Sequence, residues 1–412
     1  MVVKVSKPEI NVREKISELD NPSGIAGQAM LAAETPQEQF NLISAGRKNL
    51  FYNGAMQIAQ RSTSAVTVSD NSNEGYSTVD RWKVDFGSAM GGALQAERVG
   101  SPAGHGPFSE SLKLSCTTVN SGAMTSGSVR FLSVAQYLEG NDLQQLCYGE
   151  PDAKHTTYSF WVYTNKVGRY GFGVISRDSG DSYDCWGSYF DVPTANVWQK
   201  VVFTVEGNTA ADIKRTNSFG LLVDIYLACA ANRAGISDSR WQTYSTARLP
   251  GTYTDYVDFL DNTSNVFYVT GLQLEVGKVA TPFEHRSYGE ELALCQRYYY
   301  QIGGAGQGGG GFDYLAHGFA DTTTRAIHII HFPQNMRAAP TLVSSQSASN
   351  FYWRAPIGNP TSPSATSLPT LGGSSTIWGR VDCNGTGFSA GTGCFFEQNN
   401  SVNTFIAFNA EL

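Results

Sequence analysis

Charged residues are scarce in this 412-residue chain. Asp, Glu, Lys and Arg together make up 16% of it, against about 25% in an ordinary soluble domain. The formal net charge is −7, which disfavours broad binding to nucleic-acid phosphates, because such binding depends on clustered positive charge. We therefore expect no nucleic-acid partner.

Long apolar segments and targeting signals are also lacking. The longest apolar stretch, residues 219–231, is interrupted by Asp224 and is shorter than the roughly 20 residues that span a bilayer. The first 20 residues hold four lysines and arginines but no apolar core of a secretory signal. These absences predict a soluble chain that is made in a cytoplasm and not inserted into a membrane.

Cysteine motifs for metal or redox chemistry are missing. The seven cysteines are scattered and form no C-x-x-C pair, so neither a zinc cage nor a redox motif is indicated. We expect them to be reduced packing residues. A bond between Cys383 and Cys394 across a hairpin stays open, because sequence alone does not show whether the two thiols face each other.

Glycine and aromatic residues are abundant instead. The chain contains 43 Gly, 20 Tyr, 22 Phe and 7 Trp; aromatic side chains favour strands and glycine favours tight turns. Runs typical of strands recur between polar loops, without the strand–helix alternation of a parallel sheet. We predict an all-β fold: a central antiparallel jelly-roll sandwich and a smaller C-terminal β-sandwich, preceded by a short helical N-terminal arm.

Charge distribution and glycine-rich breaks divide the chain. Residues 1–40 hold ten charged side chains, whereas residues 300–412 hold only nine. The predicted parts are an N-terminal arm (1–47), a jelly-roll domain (48–285), a helical linker (286–302) and a C-terminal β tip (303–412). The helices of the arm are too short to stand alone in water, so we expect the arm to pack on its own chain, on sister chains or on a docking partner.

The final strand of the central domain is predicted at about residues 266–275. Strict alternation places the following residues on two faces: Val266, Tyr268, Leu272 and Leu274 on one, and Phe267, Val269, Gln273 and Glu275 on the other. Carboxylate and amide oxygens suit calcium, which makes Gln273, Glu275 and Glu284 candidates for a structural calcium ion. The alternative is a set of surface or capping hydrogen bonds, and no other cofactor is predicted.

Catalytic constellations are not found. Residues 387–391 match the G-x-S-x-G elbow of hydrolases, but no histidine follows them and no helix is expected there. The acidic residues are too dispersed to nominate a glycosidase pair, and Asp181 and Asp184 share a loop that we expect to be solvated. We therefore expect a protein without enzymatic activity.

Three aromatic clusters in polar segments are candidates for binding a glycan. Sugars present apolar ring faces and many hydroxyls, which aromatic faces and polar side chains match. The clusters are Tyr183, Trp186 and Tyr189; Trp241, Tyr244 and Tyr253; and Phe351, Tyr352, Trp353 and Arg354. For each cluster, the alternative is a role in the core or in an interface.

Several segments together resemble a bacteriophage domain. Residues 49–57, 198–200, 269–277 and 280–286 resemble the start, middle and end of a carbohydrate-binding-like jelly roll that occurs in phage tail fibres and other virion appendages. Residues 297–300 and 332–341 are similar to the C-terminal fibre domains of such proteins. The resemblance spans about residues 49–345, and its most specific part is the phrase GLQLE-x-G…ATPFE-x-R.

The resemblance implies a homotrimeric, non-enzymatic virion protein that is assembled in the host cytoplasm. We expect a tail fibre that attaches the virion to a host-surface receptor such as a glycan, anchored to tail or capsid proteins through residues 1–47. A capsid-bound head fibre or decoration protein is the alternative, and a depolymerase spike is a further one. Because fibre tips commonly bind receptors, the resemblance favours the cluster at residues 351–354.

Overall fold

The computed structural model describes most of the chain from residue 48 onward. The described residues are 48–69, 75–87, 90–102, 108–121, 124, 130–304, 314–345, 347–354, 365–398 and 404–412, together with Met30, Ala32 and Gln39. The predicted N-terminal arm therefore lies outside the described residues except for these last three. Most of the glycine-rich break at 303–311 lies outside them too.

Two six-stranded sheets form a larger sandwich. Strands are numbered in chain order. The first sheet contains β1 (Val66–Ser69), β3 (Ala93–Gly100), β4 (Glu110–Thr118), β6 (Thr156–Thr164), β9 (Gln199–Val205) and β14 (Val266–Val276). The second contains β2 (Lys83–Phe86), β5 (Phe131–Glu139), β7 (Gly168–Arg177), β8 (Tyr183–Val192), β10 (Phe219–Cys229) and β12 (Gln242–Thr243).

Neighbouring strands in both sheets of the larger sandwich run antiparallel. The spatial orders are β1-β3-β4-β14-β6-β9 and β12-β8-β7-β10-β5-β2. Neighbours in these orders are often far apart in sequence, as for β4 beside β14 and β5 beside β10. Such long connections between the two sheets are typical of jelly rolls.

A smaller sandwich follows near the C-terminus. A three-stranded sheet in the order β15-β23-β18 lies with a six-stranded sheet in the order β19-β22-β16-β17-β21-β20. The strands are β15 (Tyr299–Gly303), β16 (Tyr314–Ala320), β17 (Arg325–His331), β18 (Thr341–Ser344), β19 (Phe351–Arg354), β20 (Thr370–Ser374), β21 (Trp378–Asn384), β22 (Gly393–Gln398) and β23 (Phe405–Asn409). The predicted all-β fold, with a central antiparallel sandwich and a smaller C-terminal one, is confirmed.

Short elements complete the described residues. β11 (Ala234–Ile236) and β13 (Leu249–Pro250) pair parallel, and α1 (Tyr288–Gln296) joins the two sandwiches, capped by Ser287. Short 3-10 helices lie at Gly140–Leu146, Tyr253–Asp255, Phe259–Asp261 and Ala348–Asn350. Within the described part of the chain, no helix is long and apolar enough to cross a membrane.

Aromatic side chains fill the core of the larger sandwich. Phe172 and Phe203 stack from opposite sheets with ring centroids 4.3 Å apart, and Phe160 packs beside both. The smaller sandwich has a separate core that includes Phe351, Phe396 and Phe408. Each sandwich thus buries its own apolar faces.

The final strand of the larger sandwich departs from strict alternation. Pairing of β14 with β6 shifts register between Thr270 and Gln273, and Gly271 has φ +65°, a conformation that glycine adopts without strain. Because of this bulge, Leu272 and Leu274 join the core-facing side of Phe267 and Val269. The predicted grouping of the two leucines with Val266 and Tyr268 was therefore wrong.

The seven cysteines are free, and six of them are buried. Cys383 lies on β21 and Cys394 on β22. In the sheet these strands are separated by β17 and β16, so the two residues do not face each other across a hairpin. The bond between Cys383 and Cys394 that the sequence left open is therefore absent, and both are buried packing residues.

A buried ionic cluster joins the two sandwiches. Glu411, near the C-terminus, accepts hydrogen bonds from Arg81 and, at 3.1 Å, from Arg61. Arg61 also lies 3.2 Å from Asp80, and the Arg81 guanidinium lies 3.5 Å from the ring centroid of Tyr298. The Arg81 side chain is fully buried and Glu411 nearly so, so this cluster, which we call the junction cluster, links the C-terminal residues to the larger sandwich.

Candidate functional site

An open pocket lies on the outer face of the second sheet of the larger sandwich. Its volume is about 360 Å³. Alternation along β2, β5, β7, β8 and β10 directs every second side chain away from the core and into this face. The lining residues are Asp85, Phe131, Tyr137, Ile175, Tyr183, Phe219, Leu222, Asp224, Tyr244 and Arg248.

Glycines on the sheet let a loop lie directly against it beside the pocket. A Cβ atom at Gly187 of β8 would lie 1.6 Å from the Arg248 carbonyl oxygen, and one at Gly171 of β7 would lie 2.6 Å from the Leu249 side chain. Only glycine permits such close approach. The loop that follows β12 therefore packs on the sheet and brings Tyr244 and Arg248 to the rim.

Aromatic rings form one wall of the pocket. Tyr183 stacks on Phe219 with centroids 6.0 Å apart and an interplanar angle of 16°, and Tyr244 lies 5.8 Å from Tyr183. Tyr137 meets Phe219 edge to face at 5.3 Å. Tyr244 is 37% exposed, so it offers ring surface to a molecule that enters from solvent.

Two carboxylates form a second wall of the pocket. Asp224 is buried on β10, and its carboxylate accepts hydrogen bonds from Ser133 at 2.9 Å and from Tyr226 at 3.1 Å. Burial raises the pKa of Asp224 above its ordinary value, against the lowering effect of Arg248. Asp85 lies nearer to solvent and pairs with Lys83 at 3.1 Å.

Arg248 connects the two walls. Its Nη1 donates to the Tyr226 hydroxyl at 3.2 Å and its Nη2 donates to the Tyr244 hydroxyl. The guanidinium lies 4.4 Å from the Tyr244 ring centroid and 4.0 Å from the Asp224 carboxylate. The pocket therefore combines aromatic faces, two acids and one buried cation, which suits a ligand with both apolar faces and hydroxyls.

The first predicted cluster is split between two faces of β8. Tyr183 lines the pocket. Trp186 points the other way: it is 5% exposed, packs in the core and donates from Nε1 to Glu206 at 3.2 Å. Its faces are closed to a ligand, which removes it from the candidate residues. Tyr189 shares the outer face with Tyr183 but lies outside the pocket, with the Arg169 guanidinium 3.7 Å from its ring centroid.

The second predicted cluster contributes one residue. Tyr244 is on the pocket rim. Trp241 is half-buried against the main core, donates from Nε1 to the Glu206 carbonyl at 2.7 Å and meets Tyr148 edge to face. Tyr253 packs near Leu249 instead. The structure thus brings Tyr183 and Tyr244 together from different clusters.

The third predicted cluster lies on β19 of the smaller sandwich. Phe351 is fully buried and packs 5.2 Å from Phe396, so it has the core role given above as the alternative and is removed from the glycan-binding candidates. Tyr352 is half-buried. The side chains of Trp353 and Arg354 lie outside the described part of the structure.

The calcium candidates make hydrogen bonds within the chain. Glu275 accepts from the Thr281 backbone N–H at 2.9 Å and from the Thr281 hydroxyl at 2.6 Å. Gln273 donates from Nε2 to Glu275 at 3.0 Å and accepts from the Glu284 N–H at 2.8 Å. Among the described residues, no group of three or more acidic, His or Cys side chains could hold a metal ion.

The positive charge beside these calcium candidates comes from the Lys48 and Arg286 side chains. Glu284 accepts hydrogen bonds from the backbone N–H groups of Lys48 and Asn49 at 2.7 and 2.5 Å, and Arg286 lies 3.3 Å from its other oxygen. The Lys48 ammonium donates to Pro282 O at 2.6 Å, and burial lowers the pKa of Lys48. The structure gives these residues the role of fastening residue 48 to the end of the sandwich.

Eight of the ten lining residues were missed in the sequence, among them Asp85, Tyr137, Phe219, Asp224 and Arg248. One signal for them was present, because Asp224 interrupts an otherwise apolar strand and a buried acid needs partners. A second signal was the pair Gly171 and Gly173 inside a strand, which indicates that another part of the chain lies close to the sheet. Neither signal names Arg248, which comes from a loop.

Comparisons with known proteins give only distant likenesses. No family model matches the sequence, and no curated protein matches it. Among solved structures, the enzymatically active domain of tailspike protein 4 from bacteriophage CBA120 has a TM-score of 0.29 and 11% identity over 55% of this chain and 21% of that chain. The matched segment thus spans about a fifth of the tailspike chain.

Two carbohydrate-binding modules are similarly distant. The family 11 module of a cellulosomal cellulase from Clostridium thermocellum has a TM-score of 0.25 and 12% identity, over 54% of this chain and 99% of that chain. The CBM22-1 xylan-binding domain from Paenibacillus barcinonensis has a TM-score of 0.25 and 11% identity, over 54% of this chain and 100% of that chain.

Proposed function

We propose that this chain is a non-enzymatic glycan-binding protein and that the pocket on the second sheet of the larger sandwich is its binding site. The observation that carries the proposal is the pairing of Tyr183 and Tyr244 beside Asp85, Asp224 and Arg248 in an open pocket. A pocket of about 360 Å³ is within the range that holds small ligands, about 300–1,000 Å³.

Each wall has a separate task in this proposal. The tyrosine rings stack on the apolar face of a sugar ring, which removes apolar surface from water. Asp85, the more exposed acid, accepts hydrogen bonds from sugar hydroxyls, and such charge-assisted bonds are stronger than neutral ones. Arg248 and Asp224 fix the shape of the wall, because both are already engaged by protein groups.

Replacing Tyr244 tests the site directly. The chain is first applied to an array of bacterial lipopolysaccharide O-antigens and capsular polysaccharides, and the tightest binder is then measured by isothermal titration calorimetry. Tyr244→Ala should weaken that binding about tenfold, since a lost stacking contact of about 1.4 kcal/mol is a factor of ten.

Tyr189→Ala is the matched control for this measurement. Tyr189 is as exposed as Tyr244, at 38%, and lies on the same face of the second sheet, but outside the pocket. Its replacement should leave the affinity unchanged. Equal losses in the two variants, or no binding by the wild type to any polysaccharide, would contradict the proposed site.

We further propose that the chain serves as a phage tail fibre that attaches the virion to a host-surface glycan. The support is the resemblance of residues 49–57 and 269–277 to virion appendage proteins. In this proposal the chain is a homotrimer anchored through residues 1–47, and three linked weak sites gain avidity without new contacts.

Location and mass test the virion role. Cryo-electron microscopy of virions should show the chain on the tail; density on the capsid would support a head fibre or decoration protein instead. Light scattering should give about three times the 44.6 kDa of one chain. Incubation with the bound polysaccharide should leave the polymer size unchanged, and a fall in size would identify a depolymerase.

A further inference from the structure

A chain of hydrogen bonds runs beneath the pocket from β5 to the rim. Ser133 donates to Asp224 Oδ1 at 2.9 Å, and the Tyr226 hydroxyl donates to Asp224 Oδ2 at 3.1 Å. The same Tyr226 oxygen accepts from Arg248 Nη1 at 3.2 Å, and Arg248 Nη2 donates to the Tyr244 hydroxyl. We call these residues the relay: Ser133, Asp224, Tyr226, Arg248 and Tyr244.

The relay is buried at its base and exposed at its end. Ser133, Asp224 and Tyr226 are 0–2% exposed, whereas Tyr244 is 37% exposed. Asp224 and Tyr226 stand on β10, and Ser133 lies directly opposite Tyr226 on the paired strand β5. The base is therefore fixed by the sheet, while Tyr244 and Arg248 come from the loop after β12, whose backbone is attached at Tyr244 N–H to the Tyr183 carbonyl at 2.9 Å and at Arg248 N–H to the Arg233 carbonyl at 2.7 Å.

We propose that Asp224 is a positioning residue, which acts through Tyr226 and Arg248 to hold the Tyr244 ring where it stacks on a sugar. This inference rests on the proposed glycan-binding function of the pocket. Asp224 itself need not touch the sugar: its two oxygens are engaged by Ser133 and Tyr226.

The direction of the hydrogen bonds depends on the charge of Asp224. As a carboxylate, Asp224 accepts a hydrogen bond from the Tyr226 hydroxyl, and the Tyr226 oxygen is then free to accept one from Arg248. A protonated Asp224 becomes a donor, so its proton competes with the Arg248 N–H for the same phenolic oxygen. The buried Arg248 also loses its nearest acid, which lies 4.0 Å away. Protonation therefore loosens the hold on Tyr244.

Several other groups set the pH at which this happens. Burial raises the pKa of Asp224, the Arg248 guanidinium lowers it and the Asp85 carboxylate raises it. Lys83 offsets part of the Asp85 charge, since the two pair at 3.1 Å. Tyr137 and Tyr226 also face Asp224, but burial raises the pKa of both phenols, so they stay neutral while Asp224 titrates.

A label at position 244 tests the relay without any glycan. With 3-fluorotyrosine at residue 244, the ¹⁹F resonance of the otherwise wild-type chain should shift as the pH falls through the Asp224 pKa. The shift should be absent from Asp224→Asn. In Asp85→Asn it should remain but move to lower pH, because a like charge that raises the Asp224 pKa has been removed. A pH-independent wild-type resonance, or a transition that persists in Asp224→Asn, would overturn the relay.

Affinity measurements test whether the relay matters for binding. The probe is the bacterial polysaccharide that binds most tightly in the array. At neutral pH, Asp224→Asn and Tyr226→Phe should each weaken binding about three- to tenfold, and the double variant should be no weaker than the worse single one, because the two residues act in one chain. Asp191→Asn, on the outer face of β8 and paired with Arg169, should bind like the wild type.

The possible failures are distinct from one another. If the wild type binds no polysaccharide, the proposed function fails, while the ¹⁹F titration still judges the relay. If Tyr244→Ala loses binding but both relay variants bind as tightly as the wild type, the site stands and the inference about Asp224 is wrong. Thermal melts of the variants establish that each is folded; Tyr226→Phe, which keeps the ring, provides the test if Asp224→Asn does not fold.

Discussion

The two sandwiches treat the outer face of a six-stranded sheet in different ways. In the larger one, a loop lies against the second sheet, and acids and a buried arginine stand among the aromatic rings. In the smaller one, the outer face of the six-stranded sheet carries large apolar side chains open to solvent: Tyr314, Phe319, Ile329 and Phe395 are 61, 49, 43 and 40% exposed. One face holds a pocket with two acids and a buried arginine, and the other carries exposed apolar rings beside an ion pair between Arg380 and Asp382 at 2.7 Å.

The contrast shows what charge contributes beyond solubility. Residues 300–412 have nine charged side chains, and no lysine occurs after Lys278. In the smaller sandwich, charged side chains at the six-stranded sheet pair with each other, Arg325 with Asp321 and Arg380 with Asp382. The larger sandwich supplies Asp85, Asp224 and Arg248 to a single site, and directional bonds of this kind are what give a site specificity.

The largest expected effect on stability comes from breaking the junction cluster, which links the two sandwiches. Glu411→Gln keeps the shape of the side chain but leaves Arg81 buried without its acid, which should cost about 3–5 kcal/mol of unfolding free energy in denaturant titrations. Asp238→Asn is the control, because Asp238 pairs with Arg240 on the surface, and its change should be within about 0.5 kcal/mol. Similar small losses in both variants would mean that the junction cluster does not hold the sandwiches together.

A substitution in the core of the smaller sandwich should cost a similar amount of stability but leave glycan binding unchanged. Phe351→Ala removes a fully buried ring and should cost about 3–5 kcal/mol, measured by chemical unfolding. Polysaccharide affinity at a temperature where the variant is folded should not change, since Phe351 is far from the pocket in sequence and belongs to the other core. A stable variant that has lost binding would return the site to the smaller sandwich.

The smallest expected effect concerns the exposed apolar face. Phe319→Ser should alter unfolding free energy by no more than about 0.5 kcal/mol, because the ring is 49% exposed. Phe396→Ser, on the core side of the same sheet and fully buried, should cost several times as much. If Phe319→Ser is as damaging as Phe396→Ser, the ring is covered in solution and the two outer faces differ less than the structure indicates.

Alternation and composition were sufficient to predict the fold class, but not to predict which side chains of every strand face the core. The run at residues 158–163 was predicted as a strand and lies within β6, because β-prone residues there are also core residues. The final strand was misjudged at Gly271, since a bulge depends on what packs nearby: a Cβ atom at Gly271 would lie 2.5 Å from Phe108. Residues far apart in sequence decide that contact, so local pattern does not show it.

The sequence predicted two single residues of the candidate site, but not that they lie together. Tyr183 and Tyr244 were named in separate clusters, and 61 positions separate them. They meet because β12 pairs with β8, with Thr243 beside Asp184, and this pairing of a two-residue strand leaves almost no trace in the sequence. Trp186 was misplaced for a simpler reason: it is an odd number of positions from Tyr183, so in a regular strand it faces the other side.

The fastening of residue 48 has a mechanical consequence. Lys48 and Asn49 are bonded to Glu284, and the Asn53 N–H donates to Glu291 of α1 at 2.5 Å, so the chain enters the larger sandwich beside the point where it leaves. Tension between residue 48 and α1 would pass through this short stretch of contacts and bypass the sheets. A force applied to the two ends of the larger sandwich would then act on these contacts before it acts on the strands around the pocket. The pocket would therefore keep its shape under tension.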